Sequence, residues 1–342
     1  MKAIWYDRFG AEPTIREVPT PHIHADAVLI KVGATGICGS DRYGWHGHDP
    51  DISLPHVPGH EFAGAIHQVG SAVSRWQKGA RVTVPFIQAC GRCQYCKDDQ
   101  QQVCLHQQQA GFTQWGSFAE FVEVRHANEN LIALPATMSY SEACLLGCRF
   151  GTAYHALLHQ ADLKAGQWLA IFGCGGLGLA AIMIAKALGA KVLAFDPRQS
   201  AQDFARSLGA DAFSDLSAYT ESQILETTTH GVHVSMDAFG DGQILAKSGR
   251  ILRNKGKHLQ VGLLKPSEET LLKMDRLVGG ELEIIGSHGI PAHRYAAMLD
   301  FIDHHQLNLS RLIDSEVDLE SSIDHFIRPS NQVAGITVIH PG

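Results

Sequence analysis

The spacing of apolar residues changes character near residue 150. Before it, short apolar runs stand between turn-forming clusters of Gly, Pro and Asp: Ala27–Val32, Phe62–Val69 and Arg81–Val84. Runs of this length with such borders predict strands. After it, strand-like and helix-like runs alternate. Trp168–Phe172 predicts a strand, Leu177–Leu188 a helix, Lys191–Phe195 a strand and Ala201–Leu208 a helix, while Val232–Ala238 and His258–Leu263 continue the strands. This alternation predicts an α/β unit with a parallel, doubly wound sheet. The tail from Gly289 holds one helical pattern, Arg294–His305, and one last strand, Gly335–Ile339. No internal repeat is visible. The Gln-rich stretch Asp99–Gln109 reads as a polar loop whose useful residue is Cys104.

Length and charge narrow the function. The 342 residues suggest two domains, and 45 % hydrophobic with 18 % charged residues is the balance of a globular enzyme. A net charge of −7 without a clustered basic surface argues against a nucleic-acid partner. The stretch Leu177–Leu188 is too short, and too interrupted by Lys186, to span a bilayer. The first residues, MKAIWYDRFGAEPTI, lack the apolar core of a secretory signal. The expectation is a cytoplasmic protein with no membrane partner. In a reducing compartment the eight cysteines are then better read as metal ligands than as disulfides.

Four of them follow one tight pattern, Cys90-x2-Cys93-x2-Cys96-x7-Cys104. Four thiolates so close in sequence can close a tetrahedral shell around one zinc ion, leaving no position for water, so the site is structural. Gly91 permits the turn, and Arg92 and Lys97 offset thiolate charge. A second set is scattered: Cys38 in Gly36-Ile-Cys-Gly-Ser-Asp41, His60 and Glu61 in Pro58-Gly-His-Glu61, and Cys148 in Leu145-Leu-Gly-Cys148. Taken singly, such residues read as ordinary core or surface positions. Cys144 and Cys174 do so here.

The run Gly173-Cys174-Gly175-Gly176-Leu177-Gly178 is a G-x-G-x-x-G between a predicted strand and a predicted helix. Its glycines allow a tight turn and close approach of a pyrophosphate, which the helix N-terminus favours. Asp196 ends the next strand, 18 residues beyond Gly178. A carboxylate there accepts hydrogen bonds from a ribose and repels a 2′-phosphate, which favours NAD over NADP. Arg198 is the counter-signal, because a nearby Arg accommodates that phosphate.

In their order, GICGSD, VPGHEFAG, the four-cysteine lobe, GCRFGTAYHAL and GCGGLG resemble the zinc-containing alcohol dehydrogenases of the medium-chain dehydrogenase/reductase superfamily. The resemblance runs over nearly the whole chain. It implies a GroES-like β-rich catalytic domain over 1–149, with the structural zinc lobe at about 88–106. It implies a Rossmann coenzyme domain over 150–287, and a segment, 288–342, that returns to the catalytic domain. It implies two zinc ions per chain. The catalytic one is held by Cys38, His60 and Cys148, with the fourth position open, while Glu61 sits behind the metal and exchanges with a ligand. Asp41 orients the ligand histidine. Thr152 and Val261-Gly262-Leu263 lie against the nicotinamide, and Ser287 and His288 close over it. Ser40 takes the substrate proton. The histidine that passes this proton onward in the family is replaced by Tyr43, which leaves Tyr43, water or His46 as outlets. A second departure is the absence of a basic residue in Gln332-Val-Ala-Gly-Ile336, so Arg328 becomes the candidate phosphate contact. Tyr43, Trp45, His46, Phe86, Trp115 and Leu263 are the expected pocket wall. Their aromatic character implies a small apolar or aromatic alcohol, with a polyol or amino alcohol as the alternative and a non-catalytic zinc- and NAD-binding protein as the distant one. The expected assembly is a homotetramer or homodimer.

Overall fold

The computed structural model describes residues 1–215, 220–264, 273–328 and 335–342. Six parallel strands form one sheet in the order Ala212–Ser214, Lys191–Phe195, Trp168–Phe172, Val232–Asp237, Leu252–Gln260 and Glu283–Gly286. In chain order this is 3-2-1-4-5-6, the doubly wound arrangement, which opens a crevice at the carboxyl ends of its first and fourth strands. Successive side chains of a strand face opposite ways. Leu169 and Ile171 therefore enter one core while Ala170 and Phe172 enter another, and Val192 and Ala194 part from Leu193 and Phe195 in the same way. Burial on both faces explains why these strands read as unbroken apolar runs. The helix Gly176–Ala187 is buried continuously from Gly178 to Ala185.

The second sheet is built on Val28–Gly36. That strand pairs antiparallel with Phe62–Val69, with Phe121–Val124 and with Ile336–His340, and Ile313–Asp318 lies parallel to the last. The end of the chain thus completes the sheet that its beginning starts. A separate hairpin pairs Lys2–Trp5 with Thr14–Glu17.

Several elements differ from the sequence expectation. The strand expected at His258–Leu263 lies at Leu252–Gln260, and Val261 and Gly262 instead turn back to donate to the Asp237 carbonyl. Arg253, Asn254 and Lys255 are exposed at its start, which hid the strand in a polar pattern. The β-rich half also carries helices at Gly39–Trp45, Tyr140–Cys144 and Arg149–Tyr154, each too short to show a period. The Gln-rich loop contains a turn of 3-10 helix, Gln101–Val103, and buries Gln102. Among the described residues no helix is long and apolar enough to cross a membrane.

The two sheets share a core. Ala34 and Ala63 of the antiparallel sheet lie in one cluster with Phe150 and Leu179, and the helix Arg149–Tyr154 packs on the helix Gly176–Ala187. The peptide following Cys148 therefore sits at the join between the sheets, beside the crevice.

The glycine turn separates packing from access. A Cβ at Gly178 would lie 1.9 Å from the Gly173 carbonyl oxygen, whereas one at Gly175 meets nothing within 4 Å. Gly178→Ala is expected to destabilise the fold by about 1–3 kcal/mol, the usual cost of forcing atoms into filled space. Gly175→Ala should leave thermal unfolding unchanged. Comparing the two Tm values checks both expectations.

Candidate functional site

The four cysteines of the lobe converge. Cys90 and Cys93 flank the turn at Gly91 (φ +70), Cys96 lies in the short helix Gln94–Lys97, and Cys104 follows the 3-10 turn. Their sulfurs stand 3.5 Å (Cys93–Cys96), 3.7 Å (Cys93–Cys104) and 4.0 Å (Cys90–Cys96) apart. Zinc–sulfur bonds of about 2.3 Å place the corners of a tetrahedron roughly 3.8 Å apart, so the set fits one zinc ion and is too wide for disulfides. Backbone N–H groups of Cys90 and His106 donate to Cys104 Sγ, as a thiolate requires.

The scattered residues also meet. Cys38 Sγ, a ring nitrogen of His60 and Cys148 Sγ lie within 4.8 Å of one another. Cys38 caps the start of the helix Gly39–Trp45, and Cys148 does the same for Arg149–Tyr154. Asp41 binds the first two segments together. It accepts from the Cys38 N–H (2.8 Å), the Gly59 N–H (3.2 Å) and His60 Nδ1 (2.7 Å). A carboxylate acceptor fixes the proton on Nδ1, which turns the Nε2 lone pair toward the two sulfurs. His60 Nε2 is buried and has no hydrogen-bond partner. Such a lone pair is costly unless a cation meets it, so two thiols and this nitrogen fit a zinc ion with one position left open. The thiols already differ: the contact with Cys148 outweighs burial and holds Cys38 well below the ordinary thiol range, while the same contact and burial push Cys148 up.

Glu61 does not join this set. Its Oε1 accepts from the Arg149 backbone N–H (2.8 Å) and Nε (3.0 Å), and its Oε2 pairs with Arg149 Nη2. Arg149 Nη1 donates to the Ile37 carbonyl (2.9 Å). Both side chains are buried. Sequence reasoning overlooked Arg149, although a charge directly after a ligand cysteine inside the apolar run LLGCRFGTAY was a usable signal.

The glycine turn leads into the helix Gly176–Ala187 at the crevice. Asp196 directly follows the neighbouring strand, Lys191–Phe195. Its Oδ1 accepts from the Arg198 N–H (3.0 Å) and Nε (2.9 Å), and its Oδ2 from the Cys174 N–H (2.9 Å) and Arg198 Nη2 (2.9 Å). Burial would raise this carboxyl, but the bonds from Arg198 and the backbone hold it below the usual range, so it is ionised. Thr152 Oγ1 and Ser287 Oγ are buried without partners, two orphaned groups that fit the polar edge of a bound nicotinamide. Burial pushes the Cys174 thiol up to about 12, which keeps it an inert core residue.

The expected pocket residues divide. Phe86 stands edge-on to His60 (6.0 Å) and to His288 (5.2 Å). Phe112, not singled out from sequence, lies 5.1 Å from His60. Ser40 Oγ is 3.8 Å from Cys38 Sγ. Tyr43 donates to the Leu264 carbonyl (3.4 Å) and leans on His48 (5.1 Å), next to the exposed Leu263. His46 packs on Trp45. Trp45 and Trp115 are not brought to the site. Trp45 packs on Phe326 and donates to Ala11, and Trp115 packs on Trp5 and donates to Pro55. Arg328 is exposed and pairs with Asp324, whereas buried Arg149 lies against the glycine turn. Residues 332–334 of the C-terminal segment lie outside the described residues.

Known proteins match this arrangement. The model of the alcohol dehydrogenase GroES-like domain matches residues 24–136, and that of the zinc-binding dehydrogenase matches residues 176–304. An alcohol dehydrogenase of Geobacillus stearothermophilus is 34 % identical over 84 % of each chain. A D-arabitol-phosphate dehydrogenase of Enterococcus avium is 31 % identical over 89 % of this chain and 86 % of its own. Among solved structures, a zinc-binding dehydrogenase from Sinorhizobium meliloti 1021 bound to NADP superimposes with a TM-score of 0.89 at 28 % identity over 99 % of each chain.

Asp41→Ala removes the acceptor of His60 Nδ1 and of two backbone N–H groups. It is expected to weaken metal retention by about 10–100-fold. Competition with a zinc chelator, comparing the variant with the unaltered chain, reads the change; an unaltered release curve would contradict the role given to Asp41.

Proposed function

The chain belongs to the zinc-dependent alcohol dehydrogenases of the medium-chain superfamily, and from that premise we propose that it interconverts a small alcohol and its carbonyl partner, using NAD and a zinc ion held by Cys38, His60 and Cys148. The observation that carries the site assignment is the buried, unpartnered Nε2 of His60 between two thiols. A zinc ion there supplies Lewis-acid chemistry, lowering the pKa of an alcohol hydroxyl and polarising a carbonyl. The nicotinamide supplies the hydride acceptor. Cys90, Cys93, Cys96 and Cys104 would hold a second zinc ion, whose role there would be to stiffen the loop.

The chain's own residues do the rest. Asp41 holds the His60 tautomer. Phe86 and Phe112 wall the site beside His60 and exclude water, which suits an apolar or aromatic alcohol. Ser40, two residues after Cys38, takes the hydroxyl proton at Oγ. From there Tyr43 or water carries it outward. Thr152 and Ser287 offer their hydroxyls to the nicotinamide edge, and Asp196 takes the adenosine ribose. The D-arabitol-phosphate relative keeps a polyol as the second reading of the substrate. The NADP-bound relative and Arg198 make NADP the competing cofactor. For the assembly, the edge strand Glu283–Gly286 with exposed Ile284, and the neighbouring exposed Val278, support a homotetramer or homodimer.

Metal analysis with an alcohol panel tests the proposal. The unaltered chain should hold two zinc ions, one per donor set, and reduce NAD with at least one alcohol. Cys148→Ser should hold one zinc ion and give no turnover; two zinc ions or full turnover in that variant would sink the assignment. Ser40→Ala should lower kcat by about 10²–10⁴-fold, the usual worth of a positioned proton acceptor. Asp196→Ala should shift the ratio of kcat/KM from NAD toward NADP, and an unshifted ratio would contradict the role of Asp196.

A further inference from the structure

One buried guanidinium touches all three segments that carry the candidate ligands. Arg149 follows Cys148, donates through Nη1 to the carbonyl of Ile37 next to Cys38, and pairs with Glu61 next to His60. Glu61 is in turn tied to the Cys38 segment, since its carbonyl accepts from the Gly36 N–H (2.8 Å). Both oxygens of the Glu61 carboxylate are occupied by Arg149 donors, and the carboxylate lies outside the set formed by Cys38, His60 and Cys148. Two glycines leave room for the pair. A Cβ at Gly36 would lie 2.5 Å from Glu61 Oε2 and 2.6 Å from Arg149 Nη2, and one at Gly176 would lie 2.7 Å from Arg149 Cδ.

We propose that Arg149 is a positioning residue that holds the Glu61 carboxylate out of the catalytic metal's ligand shell. This rests on the three-donor reading of the site. The physical argument is a competition for one anion. A carboxylate adjacent in sequence to a ligand histidine, buried and near a divalent cation, is a hard oxygen donor that a zinc ion accepts. Its alternative partner here is a forked guanidinium that meets both oxygens and cannot lose its proton. While Arg149 holds it, two thiolates and one imidazole set the charge at the metal and the fourth position stays open. Without Arg149, the carboxylate is left buried without its partner, next in sequence to the ligand His60.

Cobalt(II) in place of zinc reports the ligand shell directly. The full chain loaded with cobalt(II) is compared with its Cys148→Ser variant, so that the four-cysteine lobe cancels in the difference spectrum. The unaltered chain should show the strong visible bands of a four-coordinate, thiolate-bound ion. Arg149→Gln should shift and weaken them as Glu61 binds, and Glu61→Gln/Arg149→Gln should restore the original bands. If Arg149→Gln does not fold, Gly36→Ala, which pries the pair apart with both charges kept, should give the same shift. An original spectrum in a folded Arg149→Gln or Gly36→Ala protein overturns the proposal. So does a double variant that keeps the shifted spectrum. Absence of any Cys148-dependent bands in the unaltered chain overturns the three-donor reading itself, and the proposal with it.

Discussion

The buried ion pair between Arg149 and Glu61 is the constraint on which the rest of the site depends. Two charges this deeply buried are tolerated only if each satisfies the other, and removing one partner of such a pair costs about 3–5 kcal/mol. Here the pair is satisfied by three contacts from one residue, two from side-chain nitrogens and one from the backbone, with the Ile37 carbonyl taking the remaining fork of the guanidinium. Because the partners belong to segments far apart in sequence, the pair also fixes where those segments meet. The strand Val28–Gly36, the loop at His60 and the helix Arg149–Tyr154 come together at one point, and the three donor atoms sit on their adjoining ends. The aliphatic part of Arg149 then rests on Gly176, so the metal centre and the glycine turn share a wall.

Asp41 works beside it at the level of single atoms. Its three contacts fix a backbone, a loop and a tautomer at once. The outcome is a site whose donors are held by the fold's own hydrogen bonds, the kind of support that lets a metal act on substrate. The four-cysteine lobe solves the opposite problem. It draws all its donors from one short stretch, and four thiolates would fill the shell of one ion and leave no position for chemistry.

Legibility in the sequence followed the length of the physical signal. The parallel sheet was legible because strands buried on both faces are unbroken apolar runs and the buried helix Gly176–Ala187 follows a glycine turn. The strand Leu252–Gln260 was misplaced because its first half is polar and exposed. The four-cysteine lobe was legible from spacing alone. Cys38, His60 and Cys148 were not; they became legible only through their ordered motifs, because their convergence is made by tertiary contacts. Arg149 and Phe112 were missed for the same reason, and Trp45 and Trp115 were expected in the pocket wall from their places in the family pattern, whereas their rings pack on Phe326 and Trp5. Nothing in the neighbours of Glu61 shows that an arginine 88 positions later takes both its oxygens.

The central claim is that three scattered residues make a second, open metal centre at the mouth of the nucleotide crevice. Anomalous scattering at the zinc edge, from crystals of the protein grown with zinc and NAD, tests it most directly. The account predicts two peaks, one enclosed by Cys90, Cys93, Cys96 and Cys104, and one in contact with Cys38 Sγ, His60 Nε2 and Cys148 Sγ, with Glu61 still on Arg149. A single peak at the four-cysteine lobe would contradict it.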